Sequence, residues 1–128
     1  MKACTILSKS LTALMFLGPM LIVSSLVAGE ADVVDVEIIA LGDNKYRINT
    51  TVRHDDAGWE HYANRWDVLA PDGTVLGSRE LAHPHDNEQP FTRSLTLSIP
   101  ADITSVTIQA NDLTHGLGGK TMTVDIKP

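Results

Sequence analysis

The sequence predicts an all-β fold, and three observations carry that prediction. From Val33 onward apolar residues recur with period two, the pattern of half-buried strands. Compact turn signals alternate along the chain with longer polar segments. No stretch beyond the N-terminal segment shows helical periodicity. The roughly 100 residues left after a targeting segment suit a seven-stranded, immunoglobulin-like antiparallel sandwich.

The first element is a leader. Lys2 and Lys9 give a basic start, and Leu11 to Ala28 is an almost unbroken apolar run without charge. That is a signal-peptide pattern. Gly18-Pro19 in the middle of the run, and the small residues Ala28 and Gly29 at its end, favour cleavage over retention as a membrane anchor. The expected division is a signal peptide over 1–29 and a β-sandwich domain over 30–128, exported to the periplasm or secreted. Contact with a membrane is expected only if the leader is not cleaved.

Processing sharpens the charge. All 16 acidic residues follow Gly29 while two of the 10 basic ones precede it, so the net charge moves from −6 to −8. A domain this acidic repels phosphate backbones, which argues against nucleic acid as a partner. The single cysteine, Cys4, lies in the leader. The domain beyond it therefore has no disulfide, no thiol nucleophile and no thiolate for a metal.

The strands follow in order. Val34, Val36, Ile38 and Ala40 alternate on the first, and Tyr46, Ile48, Thr50 and Val52 on the second. Trp66, Val68 and Ala70 face one way on the third, with Trp66 expected as the central core aromatic. Thr74 to Leu81 makes a less regular fourth. Arg93, Leu95, Leu97 and Ile99 mark the fifth, Val106, Ile108 and Ala110 the sixth, and Met122, Val124 and Ile126 the seventh. Arg93, near its strand's start, is placed to reach a carboxylate such as Glu88 or Asp112.

Gly42-Asp43-Asn44, Pro71-Asp72-Gly73 and Pro100-Ala101-Asp102 are compact turns, whereas 54–63, 82–90 and 112–119 are long. The glycines of the last segment, Gly116, Gly118 and Gly119, point to positive φ or close backbone approach. If successive strands run antiparallel, the three short turns share one end of the sandwich and the three long loops the other. All five histidines fall in long loops: His54 and His61 in the first, His83 and His85 in the second, His115 in the third. Asp55, Asp56, Glu60, Asp86 and Asp112 accompany them. Imidazole nitrogens bind zinc, copper and iron, and carboxylates complete the shell or orient a ring through its second nitrogen. Ordinary solvated loop histidines, with His83-Pro84-His85 a stiff extended linker, would give the same composition.

The segment from His54 to Trp66, H-D-D-A-G-W-E-H-Y-A-N-R-W, resembles the iron-binding segment of the superoxide reductase family of desulfoferrodoxins and neelaredoxins. There a histidine is followed by Glu-His-Tyr and an aromatic residue opening the central strand. Asp112-Leu113-Thr114-His115-Gly116 resembles the family's Cys-x-x-His-Gly motif. The resemblance implies an immunoglobulin-like sandwich in which His54, His61 and His115 are ligands of a ferrous centre. Asp112 stands where the family has its axial cysteine. A carboxylate lacks the softness of that thiolate, which puts superoxide reductase activity in doubt. The family's early histidine has no counterpart before His54, and His83 or His85 are the available replacements.

The expected function is an exported metal-binding protein holding one transition-metal ion, iron, copper or zinc, with a redox-related role open. Its expected ligands are His54, His61 and His115, then His83 and His85, with Asp112 as a carboxylate ligand or orienter. The alternative is a non-catalytic module that recognises another exported protein through its long-loop end, Trp59 and Phe91 included.

Overall fold

A computed structural model describes residues 29–127, so the leader expected over 1–29, with Cys4, lies outside the described residues except for Gly29. The described chain is all-β and contains no helix. Its strands are β1 (Asp32–Gly42), β2 (Lys45–Arg53), β3 (Ala63–Leu69), β4 (Val75–Glu80), β5 (Phe91–Ser98), β6 (Ser105–Asp112), β7 (Gly116–Leu117) and β8 (Met122–Asp125). The expected count of seven becomes eight among the described residues. The addition is the two-residue β7, which Gly116 (φ 68°) turns back onto Asn111 and Asp112 of β6. So short a pairing leaves no alternation in the sequence to detect.

The strands form two antiparallel sheets, one ordered β1-β2-β5 and the other β4-β3-β6-β7 with β8 also paired to β6. One core fills the space between them, joining Val33, Ile48, Val52 and Phe91 of the first sheet to Trp66, Val68, Val106, Ile108 and Ala110 of the second. This arrangement fits a β-sandwich. Trp66 is fully buried on β3, as its place in the pattern predicts. The β1–β2 hairpin closes through Asp43 (φ 52°) and Asn44 (φ 60°). Both central residues are left-handed, as the tight type I′ turn requires, and Asn and Asp tolerate that region best among non-glycine residues.

Strand register positions the long-loop end. The inward face of β2 runs Ile48, Thr50, Val52, and the next residue in the same parity is the buried His54. The inward face of β6 runs Val106, Ile108, Ala110 and ends on the buried Asp112. Ala63, at the start of β3, pairs with Asp112 and so brings the preceding His61 to the same place. The core's own alternation thus carries polar side chains inward where the apolar residues stop.

Candidate metal centre

His54, His61 and Asp112 each turn a ligand atom to one point, with the three atoms all within 4.8 Å of one another. The side chains of His54 and Asp112 have no exposed surface and that of His61 is about a quarter exposed, 27%.

The His54 ring is oriented by Asp56. Its Oδ1 lies 2.5 Å from His54 Nδ1 and accepts the Ala63 backbone N–H at 3.1 Å. Its Oδ2 accepts the His85 backbone N–H at 2.6 Å. Asp56 Oδ1 accepts from His54 Nδ1 and so orients the ring, which directs Nε2 toward Asp112 and the Gly29 carbonyl oxygen, to which it donates at 2.8 Å. A carboxylate that orients a histidine through its second nitrogen is the usual support of a metal-binding imidazole.

Asp112 is divided in the same way. Its Oδ1 accepts the backbone N–H groups of Thr114 at 2.7 Å and His115 at 2.6 Å, closing the turn that follows β6. Its Oδ2 is buried without a hydrogen-bond partner. That oxygen lies 3.5 Å from His54 Nε2 and 3.3 Å from His115 Nδ1. Atoms held about 2.1 Å from a shared ion at tetrahedral angles are about 3.4 Å apart, so these separations suit a common cation. Among the described residues Asp112 meets only histidines within ion-pair distance, and no Lys or Arg. A fully buried carboxylate with no fixed positive partner is costly, and a bound cation removes that cost.

The loops are shaped to deliver these groups. In the first long loop the Ala57 N–H donates to the His61 carbonyl at 2.7 Å and the His61 N–H to the Gly58 carbonyl at 3.3 Å, with Gly58 at φ 73°. This compact turn points His61 back over His54, their rings edge to face at 4.9 Å. His115 sits beside His61, ring centres 5.1 Å apart, and touches the cluster through Asp112 rather than belonging to the three that share one point.

The structure places His83 and His85 outside this cluster. His83 is exposed and donates from Nδ1 to the Pro84 carbonyl at 3.0 Å. His85 is buried, stacked on Phe91 at 3.9 Å between ring centres, and its Nε2 accepts from Arg93 at 2.9 Å. Phe91 is itself buried, so it cannot serve the partner surface expected of it; it is core beneath His85. Arg93 meets Glu88 at 3.3 Å, one of the two carboxylates expected for it. Trp59 is 66% exposed, packed edge to face on Tyr62. It lines an open groove with Gly58 and the His83–Glu88 segment.

Burial first, and then the Arg93 guanidinium and His83, hold the His85 imidazole below the ordinary histidine pKa, against a weaker upward pull from Asp56 and Glu88. The unfolded chain takes up this proton near pH 6.5 and the folded chain only below that. The neutral ring therefore contributes stability that is whole above about pH 6.5 and is lost as pH falls toward the folded value. With chelator present to exclude metal, His85→Gln is expected to lose less stability than wild type between pH 7 and pH 5 in urea unfolding. Equal losses would contradict this assignment.

No family model matches the chain, and no solved structure matches it. A protein of Halomicrobium mukohataei described as "Putative lipoprotein" is 44% identical over 96 residues, which are 75% of this chain and 47% of that protein. The aligned stretch is too long to be the N-terminal segment alone, so most of it falls in the folded domain. The chain spans about half the length of this curated relative.

Proposed function

We propose that this is an exported metal-binding protein whose site is made by His54, His61 and Asp112, with His115 as the neighbouring fourth group. The observation that carries the proposal is the buried, unpartnered Oδ2 of Asp112 facing the Nε2 of a histidine that Asp56 orients from the other side. A nitrogen and carboxylate donor set suits zinc, copper(II) or iron(II), and the lack of thiolate disfavours copper(I). Export rests on the leader and on the lipoprotein description of the relative.

The meeting of His54, His61 and Asp112, with His115 beside Asp112, supports the resemblance to the superoxide reductase family, and the two sheet orders support an immunoglobulin-like sandwich. Asp112 in place of a thiolate directs the proposal to metal binding or modest redox chemistry rather than superoxide reduction. A second reading, recognition of another exported protein, is favoured by the exposed Trp59 at its groove. Metal dependence separates the two. The full chain, purified without a histidine tag, is expected to hold about one ion that is lost in the His61→Ala, His115→Ala double variant. Metal at 100 times its Kd is expected to add about 2.7 kcal/mol of stability. An unmetallated wild type that gains no thermal stability from copper, zinc or anaerobic ferrous iron would favour the interaction module.

A further inference from the structure

The segment that precedes β1 brings a backbone atom into this site. The Gly29 carbonyl oxygen lies 2.8 Å from His54 Nε2 and 3.4 Å from His61 Nε2. The shorter contact is a hydrogen bond in which His54 Nε2 donates to the Gly29 carbonyl, and a cation that takes the place of that proton meets the same oxygen together with the imidazole nitrogens. From the reading of this cluster as a metal centre, we infer that the Gly29 carbonyl is a ligand of the same ion, giving it a backbone oxygen beside the imidazoles and Asp112.

The packing of the segment explains how the oxygen is held. The Lys120 N–H donates to Asp32 Oδ1 at 2.7 Å and the Val33 N–H to the Lys120 carbonyl at 2.8 Å. Ala31 and Val33 are buried in the core. Ala31 lies so close to Gly119 that a Cβ there would come within 1.9 Å of the Ala31 carbonyl oxygen. Residues 31–33 are thus fastened along 119–120, and the fastening carries Gly29 over the histidines. A Cβ on Gly29 would meet His115 Cε1 at 2.2 Å, so a side chain there must displace the His115 ring. Gly29 belongs to the site on this account, and leader removal that is compatible with it cuts before Gly29, not after it.

The test uses the full chain grown with glycine carrying 13C at its carbonyl carbon, loaded with copper(II) alone and observed by pulsed electron paramagnetic resonance. The expected result is imidazole nitrogen couplings together with a 13C coupling from a carbon one bond beyond a ligating oxygen. That 13C coupling is expected to vanish in Gly29→Ala, with copper affinity at least tenfold weaker. It is expected to persist in Gly116→Asn, which tolerates the positive φ of that position. Nitrogen couplings without the 13C coupling would overturn the carbonyl ligand and leave the side-chain site standing. Copper bound without histidine nitrogen couplings, or not bound at all, would overturn the metal centre itself and the carbonyl ligand with it.

Discussion

Replacing Asp56 with alanine is expected to lower the stability of the domain by about 3–5 kcal/mol and to weaken metal binding 10–100-fold. The side chain has no exposed surface and joins three segments: the His54 ring, the Ala63 N–H at the start of β3, and the His85 N–H of the second long loop. Its removal leaves three buried donors without an acceptor, at about 1–3 kcal/mol for each before allowing for shared relaxation. A loss of that size is a large part of the roughly 5–15 kcal/mol that a domain usually has. The metal loss has a separate cause, since the His54 ring loses the carboxylate that orients it. Urea unfolding of the apo form and metal titration of the folded form read the two effects independently. A stability loss under about 1 kcal/mol would show that Asp56 is not the tie described.

Asp112→Asn is expected to act in opposite directions on binding and on stability. The amide oxygen can still accept from the Thr114 and His115 N–H groups, so the turn after β6 survives. Its NH2 group takes the place of the unpartnered Oδ2, 3.3 Å from His115 Nδ1, and can donate to that ring. A buried charge is removed, so the apo protein should be as stable as wild type or more stable by up to about 1 kcal/mol. Metal affinity should fall about 100-fold or more, since an anionic ligand is lost and even outer partners of a metal site are worth 10–100-fold. If Asp112 were instead the structural partner of a protonated His54, breaking that buried pair would cost about 3–5 kcal/mol. The sign of the stability change distinguishes the two roles. A functional group held at a cost to the fold is the usual pattern of a binding site.

Much of this was legible in the sequence. Period-two alternation located the seven longer strands, and the alternation of short and long connections placed His54, His61 and His115 at one end. Two signals lay in the same alternation and are sharper in hindsight. Ile48, Thr50, Val52 and His54 share one parity, as do Val106, Ile108, Ala110 and Asp112, so each strand's core face ends on a site residue. Asp56 stands two residues beyond His54 among several acidic neighbours, and nothing in composition singles out the one that folds back on the ring. Gly29 was beyond sequence reasoning, because a carbonyl oxygen leaves no residue type to recognise and the apolar run before it reads as a leader. His83 and His85 share the loop end with the cluster, but stacking on Phe91 and the bond from Arg93 turn the His85 ring elsewhere. Those are long-range contacts that linear spacing does not encode.

The most direct test of the metal centre is calorimetric titration of the apo full chain with zinc, wild type beside Asp112→Asn at neutral pH. The expected result is one zinc per wild-type chain and binding at least about 100-fold weaker in a variant that unfolds at the same or higher denaturant concentration. Zinc binding of equal strength in both proteins, or none in the wild type, would contradict the assignment of His54, His61 and Asp112 as a metal site.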